Sequence, residues 1–131
     1  MSIVKIVPFN TIGEDERGIT SSFKLCRQQD NFIFITRKSG SISGNTYHKG
    51  LSDATNPKLF VLLTGKIKFS YRDINSDDIH EKIIEGQSLI EVLPNVTHQV
   101  EAITDIIILE ANSIQDIAND RKQLDVYTGK I

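Results

Sequence analysis

The sequence predicts an all-β fold, a single-domain sandwich or barrel spanning residues 1–131. Three observations carry that prediction. Short runs of β-branched and aromatic residues follow one another at a spacing of roughly 8–12 residues. Gly, Pro, Asn and Asp turn signals separate them, and helical periodicity is confined to the C-terminal stretch.

The first run is Ile3–Val7, ending at Pro8. Asn31–Arg37 contains Phe32, Ile33, Phe34, Ile35 and Thr36, a composition that suits a pleated, half-buried surface. Lys58–Thr64 is almost continuously apolar, as expected of a strand covered on both faces. After Gly65, the run Lys66–Arg72 alternates, with Ile67, Phe69 and Tyr71 on one face and Lys66, Lys68, Ser70 and Arg72 on the other. Asn75–Asp78 is a turn before His80–Glu85, and Gly86-Gln87 is another before Ser88–Val92. Pro94-Asn95 leads into Thr97–Ala102, and Thr104-Asp105 into Ile106–Ala111. From Ser113 to about Leu124 the spacing of Ile114, Ile117 and Ala118 predicts a short helix, with Ser113 as cap and Asp116 at the third helical position. The stretch Lys38–Pro57 is rich in Ser, Gly, Asn, Asp and Thr and reads as one long irregular loop; long loops in compact domains often line a site.

Composition narrows the function classes. With 15 Lys plus Arg against 17 Asp plus Glu, the formal net charge is −2. No basic stripe stands out, which argues against a nucleic-acid partner. The longest apolar run, Leu59–Leu63, is far short of the roughly 20 residues that cross a bilayer, and the N-terminus lacks the pattern of a signal peptide. The single cysteine, Cys26, excludes an intramolecular disulfide and suits a reducing compartment. A cytoplasmic protein with no membrane partner is the expectation.

Strand parity then selects candidate site residues. His98 shares a face with the apolar Val100 and Ala102, while Gln99 and Glu101 point the other way. Thr46 and His48 share a face, opposite Asn45 and Tyr47. Lys58 shares its face with Phe60 and Leu62. Two histidines and a lysine on inward faces are consistent with a polar pocket. A lone inward histidine is more often a hydrogen-bonded structural residue, however, and Lys58 sits where its strand begins and has room to turn outward. Parity alone leaves both readings open. His80, beside an acidic turn, reads as surface.

At these residues the sequence resembles the cupin superfamily. Gly44-Asn45-Thr46-Tyr47-His48-Lys49, followed by Lys58-Leu59-Phe60 and, further on, Gly65, is similar to the first cupin motif; Leu93-Pro94-Asn95-Val96-Thr97-His98 is similar to the second. Asp15-Glu16-Arg17-Gly18 resembles the D-x-R-G segment of nucleotide-sugar 3,5-epimerases and 3,4-ketoisomerases, and Ala111–Asp116 with Asp125-Val126-Tyr127 resembles their C-terminal segment. The resemblance implies a cupin-type double-stranded β-helix, the RmlC-like jelly-roll barrel, with a short helical or irregular C-terminal tail. His48 and His98 would then face one another in the barrel mouth.

Three positions depart from the motifs: Thr46 stands at the first histidine of H-x-H, Ser43 at an arginine, and Lys58 at a glutamate or glutamine. Thr46 is a poor ligand and Lys58 brings positive charge, so no metal and no cofactor are expected. The resemblance implies isomerisation or epimerisation of a nucleotide-linked keto-deoxy sugar by histidine-mediated proton transfer. His48 is the preferred base and His98 its assistant. Thr46, Tyr47, Lys58 and Tyr71 are the substrate-binding candidates, Lys58 steadying an enolate oxygen and a tyrosine serving as acid or stacking platform. The alternative is a non-catalytic cupin that binds a small carbohydrate or acidic ligand; a vestigial pocket in a structural dimer is a third reading. A homodimer is expected by resemblance.

Overall fold

A computed structural model describes residues 2–131. Twelve strands are present: β1 (Val4–Pro8), β2 (Asn10–Asp15), β3 (Gly18–Ser22), β4 (Ile33–Arg37), β5 (Ile42–His48), β6 (Lys58–Thr64), β7 (Lys66–Asp73), β8 (His80–Glu85), β9 (Ser88–Val92), β10 (Val96–Ala102), β11 (Ile106–Glu110) and β12 (Arg121–Gln123). One helical turn, α1 (Ile114–Ile117), and a short 3-10 turn at Asp53–Thr55 complete the set.

Two five-stranded antiparallel sheets face each other. The first has the order β1-β9-β6-β11-β4, the second β12-β5-β10-β7-β8. This is the jelly-roll barrel that the sequence predicts. Period-two alternation sends one side chain in two toward the space between the sheets. Phe60 and Leu62 of β6, Ile90 and Val92 of β9, and Ile106 and Ile108 of β11 meet Ile67, Phe69 and Tyr71 of β7, Ile84 of β8, and Val96 and Ala102 of β10. In β6 the outward Leu59 and Val61 are also fully buried, so this strand is covered on both faces as its apolar run predicts. Pro8 closes β1 at the edge of its sheet, where a residue without an amide hydrogen is tolerated.

Three parts of the fold differ from the sequence-based expectation. The stretch 38–57 is not one irregular loop, because β5 runs through it and pairs with both β10 and β12. Its alternation is hidden by a bulge: His98 lies opposite Thr46 and Gln99 opposite Gly44, which leaves Asn45 unpaired at φ 58°. The helix expected over residues 113–124 is a single turn. Ser113 and Asp116 do form the predicted capping box, but Arg121–Gln123 leaves the helix path to pair with Thr46–His48 at the sheet edge. One polar turn gains little by itself, so tertiary pairing decides the conformation. Finally, β2 and β3 form a two-stranded ribbon that joins neither sheet. Its residues are exposed almost throughout, which removes the alternating apolar pattern that would have revealed it. Among the described residues, no helix is long and apolar enough to cross a membrane.

Candidate active site in the barrel mouth

A cavity of about 290 Å³ opens between the sheets at one end of the barrel. One wall is built from β4, β6 and β11 through Ile35, Arg37, Phe60, Ile106, Ile108 and Glu110. The facing wall is built from β5, β10 and β12 through Ser43, Gly44, Thr46, His48, His98, Val100, Arg121 and Gln123; Ile117 of α1 also contributes. The chemistry-bearing groups are therefore held by strands, the most rigid elements of the fold.

His48 and His98 meet as expected, their rings stacked with centroids 5.8 Å apart. Two contacts bring them together. The His48 carbonyl accepts the Asn95 amide at 2.8 Å, which pins the end of β5 to the turn that starts β10. Asn95 itself adopts φ 64°, the left-handed conformation that asparagine tolerates in a tight turn. The bulge at Asn45 then lets Ser43, Thr46 and His48 all line the cavity, although simple alternation would send Ser43 outward. Gly44 is required at this point: a Cβ there would lie 2.7 Å from the His98 carbonyl oxygen, at a backbone φ of 106°.

The His98 ring lies between Phe69 and His48, with Phe60 edge-on at 5.3 Å. Its Nδ1 donates to the Val96 carbonyl at 3.1 Å. A carbonyl only accepts, so the neutral ring carries its proton on Nδ1 and leaves a lone pair on Nε2. His48 Nδ1 is buried without a partner among the described residues. Burial, reinforced by the nearby Lys58 ammonium, pulls the His48 pKa down to about 3. Burial likewise takes His98 down to about 4, against the pull of its Val96 hydrogen bond. Both rings are neutral at pH 7.

Lys58 faces inward and is fully buried. Its Nζ donates to Glu110 Oε2 at 2.9 Å and sits 5.3 Å from the centre of the Phe60 ring. Burial lowers the lysine's pKa, opposed by the Glu110 carboxylate. Glu110 was not among the sequence candidates. The signal was present, because Glu110 falls in step with Ile106 and Ile108 on the inward face of β11.

Two guanidinium groups flank the cavity. The Arg37 Nε donates to Ser43 Oγ at 2.9 Å, so an arginine from β4 reaches the place where the sequence has serine for a motif arginine. Arg121 enters from β12, in register with His48. Neither is ion-paired with a carboxylate among the described residues. Behind the site, the Asp120 carboxylate accepts the Lys49 and Leu51 amides at 2.8 and 3.3 Å and the Thr55 hydroxyl. Burial works against it, yet these bonds hold its carboxyl below the usual range, and its charge opposes the fall of the His48 pKa.

Of the sequence candidates, His48, His98 and Thr46 line the cavity, and Lys58 stands behind Glu110. Tyr47 and Tyr71 do not line it. Tyr47 alternates to the outer face of β5. Tyr71 shares the inward face with His98 but is occupied in packing, stacked on His80 at 5.0 Å and tilted against Phe69 at 5.9 Å. Among the described residues, no group of three or more His, Cys, Asp or Glu side chains is placed to hold a metal ion. The Lys58 ammonium also makes the neighbourhood of the two imidazoles unfavourable to a cation.

A family model described as "Polysaccharide biosynthesis C-terminal domain" matches residues 13–127. Several solved structures share the fold. One is a point mutant of the 3,4-ketoisomerase QdtA from Thermoanaerobacterium thermosaccharolyticum in complex with TDP-4-keto-6-deoxyglucose. It has a TM-score of 0.73 at 15% identity, covering 94% of this chain and 88% of that one. Another is the dTDP-6-deoxy-D-glucose-3,5-epimerase RmlC from Legionella pneumophila Philadelphia 1 in complex with dTDP-4-keto-L-rhamnose, with a TM-score of 0.70 at 16% identity over 95% and 73% of the two chains. The capsular polysaccharide assembling protein CapF from Staphylococcus aureus gives 0.62 at 22% identity, covering 91% of this chain but only 35% of CapF. At these identities the likeness establishes the cupin-type jelly roll. No curated protein matches the sequence.

Proposed function

The chain belongs to the polysaccharide biosynthesis C-terminal domain family, and from that premise we propose that it isomerises or epimerises a nucleotide-linked keto-deoxy sugar by histidine-mediated proton transfer without a metal. The observation that carries this reading is the division of charge in the cavity. Its interior pairs Lys58 with Glu110 and holds two neutral imidazoles, whereas its flanks carry Arg37 and Arg121, neither paired with a carboxylate among the described residues.

A diphosphate suits those flanks, because guanidinium groups bind phosphate oxygens through charge-assisted, often bidentate hydrogen bonds. The sugar would then project between the sheets. There each neutral imidazole offers one N–H and one lone pair, and His98 presents its lone pair on Nε2. Such groups move protons among a ketone and its neighbouring hydroxyls without placing a net charge in a poorly solvated cavity. The apolar Ile35, Val100, Ile106 and Ile108 fit a deoxygenated sugar better than a fully hydroxylated one.

The similar QdtA and RmlC structures are complexes with keto-deoxy sugars linked to TDP, which supports the substrate class. Thr46, at the place of the first motif histidine, favours a second reading in which the cavity binds such a ligand without turning it over. One experiment separates them. The protein is incubated in deuterated water with a nucleotide-linked 4-keto-6-deoxy sugar, and incorporation beside the ketone is followed by NMR. Exchange above the protein-free rate is expected; binding without exchange would replace the catalytic reading with the binding one.

A homodimer is part of the proposal. The β2–β3 ribbon exposes Ile12 and Ile19, and the edge strand β4 exposes Phe34, which leaves apolar surface for a second copy to cover.

A further inference from the structure

Proton removal from carbon needs a base placed against the reacting carbon, and the burial that lowers a histidine's pKa also weakens it as a base. His48 and His98 are neutral and weakly basic, one wall of the cavity holding both. The facing wall carries Glu110 on the inward face of β11. Its Oε2 is taken by Lys58, and no hydrogen bond engages its Oε1 among the described residues. Lys58 lies behind it, almost completely buried, while the glutamate side chain keeps 20% of its surface. The ammonium therefore supports the carboxylate from the protein side and leaves the cavity side open.

We propose that Glu110 is the group that takes the carbon-bound proton, that Lys58 is its positioning charge, and that His48 and His98 handle the oxygen-bound protons. The proposal rests on the ketone chemistry argued above and assigns its base. In the step, the bond between hydrogen and the carbon beside the ketone breaks and the proton bonds to Glu110 Oε1. The released pair forms a carbon–carbon double bond, and the carbonyl π pair moves onto oxygen. That oxygen takes a hydrogen bond from the neutral His48 ring across the cavity. Return of the proton from Glu110 to the carbon it left re-forms the first ketone. Its return to the former carbonyl carbon, with the neighbouring hydroxyl's proton passing to the oxyanion through the imidazoles, gives the isomeric ketone. Either way the carboxylate is regenerated and no oxidant or co-reactant is consumed.

Lys58 balances the charge of this partly buried carboxylate at close range. A purely structural ion pair would satisfy both glutamate oxygens or lie away from the cavity; this one lines the cavity and leaves Oε1 without a hydrogen bond among the described residues.

The test compares deuterium incorporation from solvent into a nucleotide-linked 4-keto-6-deoxy sugar by the wild-type protein and by Glu110→Gln. Loss of the base is expected to slow exchange by about 100-fold or more while the ligand still binds. Lys58→Met is expected to slow exchange through loss of the charge that positions the carboxylate, and Lys58→Arg to restore part of it. The double variant Lys58→Met/Glu110→Gln leaves no buried charge unpaired, guards against a folding defect, and is expected to be as slow as Glu110→Gln. Exchange by either glutamine variant within about twofold of wild type would overturn the assignment of Glu110 and leave the ketone chemistry standing. A wild-type protein that binds but exchanges nothing would overturn both.

Discussion

The Asn95 amide donates to the His48 carbonyl at 2.8 Å, joining the end of β5 to the turn from which β10 departs three residues before His98. Together with the pairing of His98 opposite Thr46, this backbone bond links the two motif segments. It fixes the depth at which each histidine enters the barrel, so the stacked pair is set by main chain rather than by side-chain adjustment. The consequences of holding two neutral imidazoles in that position can be measured.

Stability should fall as pH drops below neutrality. An unfolded histidine titrates near 6.5, whereas His98 and His48 are lowered to about 4 and about 3 in the folded chain. Between these limits the unfolded chain binds protons that the native state refuses. Each histidine then removes up to about 1.4 kcal/mol of stability per pH unit, and neither affects the pH dependence above about pH 7. Denaturant midpoints at pH 7 and pH 5 check this. His98→Gln should flatten the slope in that window, and an unchanged slope would show that the ring is not held neutral.

Gly44→Ala should destabilise the fold by about 1–3 kcal/mol, since the new Cβ meets backbone and the required φ is unfavourable. The clash is with the His98 carbonyl at 2.7 Å. Ligand affinity should fall with stability, because relief of the clash moves β5 away from β10. Thermal melts and a binding titration on the same variant read both effects.

Arg37→Ala and Arg121→Ala should each weaken binding of TDP by about tenfold, the loss of roughly one charge-assisted contact. Among the described residues neither guanidinium has a carboxylate partner that its removal would strand, so protein stability should change little. Calorimetric titration at two salt concentrations checks this; the variants should show a smaller salt dependence than wild type.

Breaking the Lys58–Glu110 pair should be costly from either side, and removing both charges together much less so. Lys58→Met leaves the partly buried Glu110 carboxylate without its cation, at a cost of roughly 2–4 kcal/mol, while Lys58→Met/Glu110→Gln should recover most of it. Glu110→Gln alone strands the fully buried Lys58 and should destabilise comparably. Chemical denaturation of the four proteins gives the coupling directly.

Much of this architecture was legible in the sequence. The alternating run of β7 buries Ile67, Phe69 and Tyr71 in the structure, and the parity of Val100 and Ala102 placed His98 inward, where it lines the cavity. What stayed hidden has physical causes. The bulge at Asn45 breaks the alternation of β5, and β12 exists only because an edge of β5 is free to pair. Arg37 was read as the end of an ordinary strand, since no local pattern reports that its guanidinium reaches Ser43 on another strand. Tyr71 shows the converse limit: parity put it on the inward face, but Phe69 and His80 occupy its ring. Glu110 was readable by the same parity argument that selected His98. It was missed because a charged residue at a strand end reads as surface until its buried partner is known.

The central claim is that the cavity between His48 and His98 on one wall and Glu110 on the other receives a nucleotide-linked keto-deoxy sugar. A crystal structure of the complex with such a ligand tests it most directly. The account predicts the diphosphate between Arg37 and Arg121, with the ketone within hydrogen-bond reach of His48 and the adjacent carbon facing Glu110. A ligand seated elsewhere on the barrel, or a cavity that stays unoccupied at saturating ligand, would contradict it.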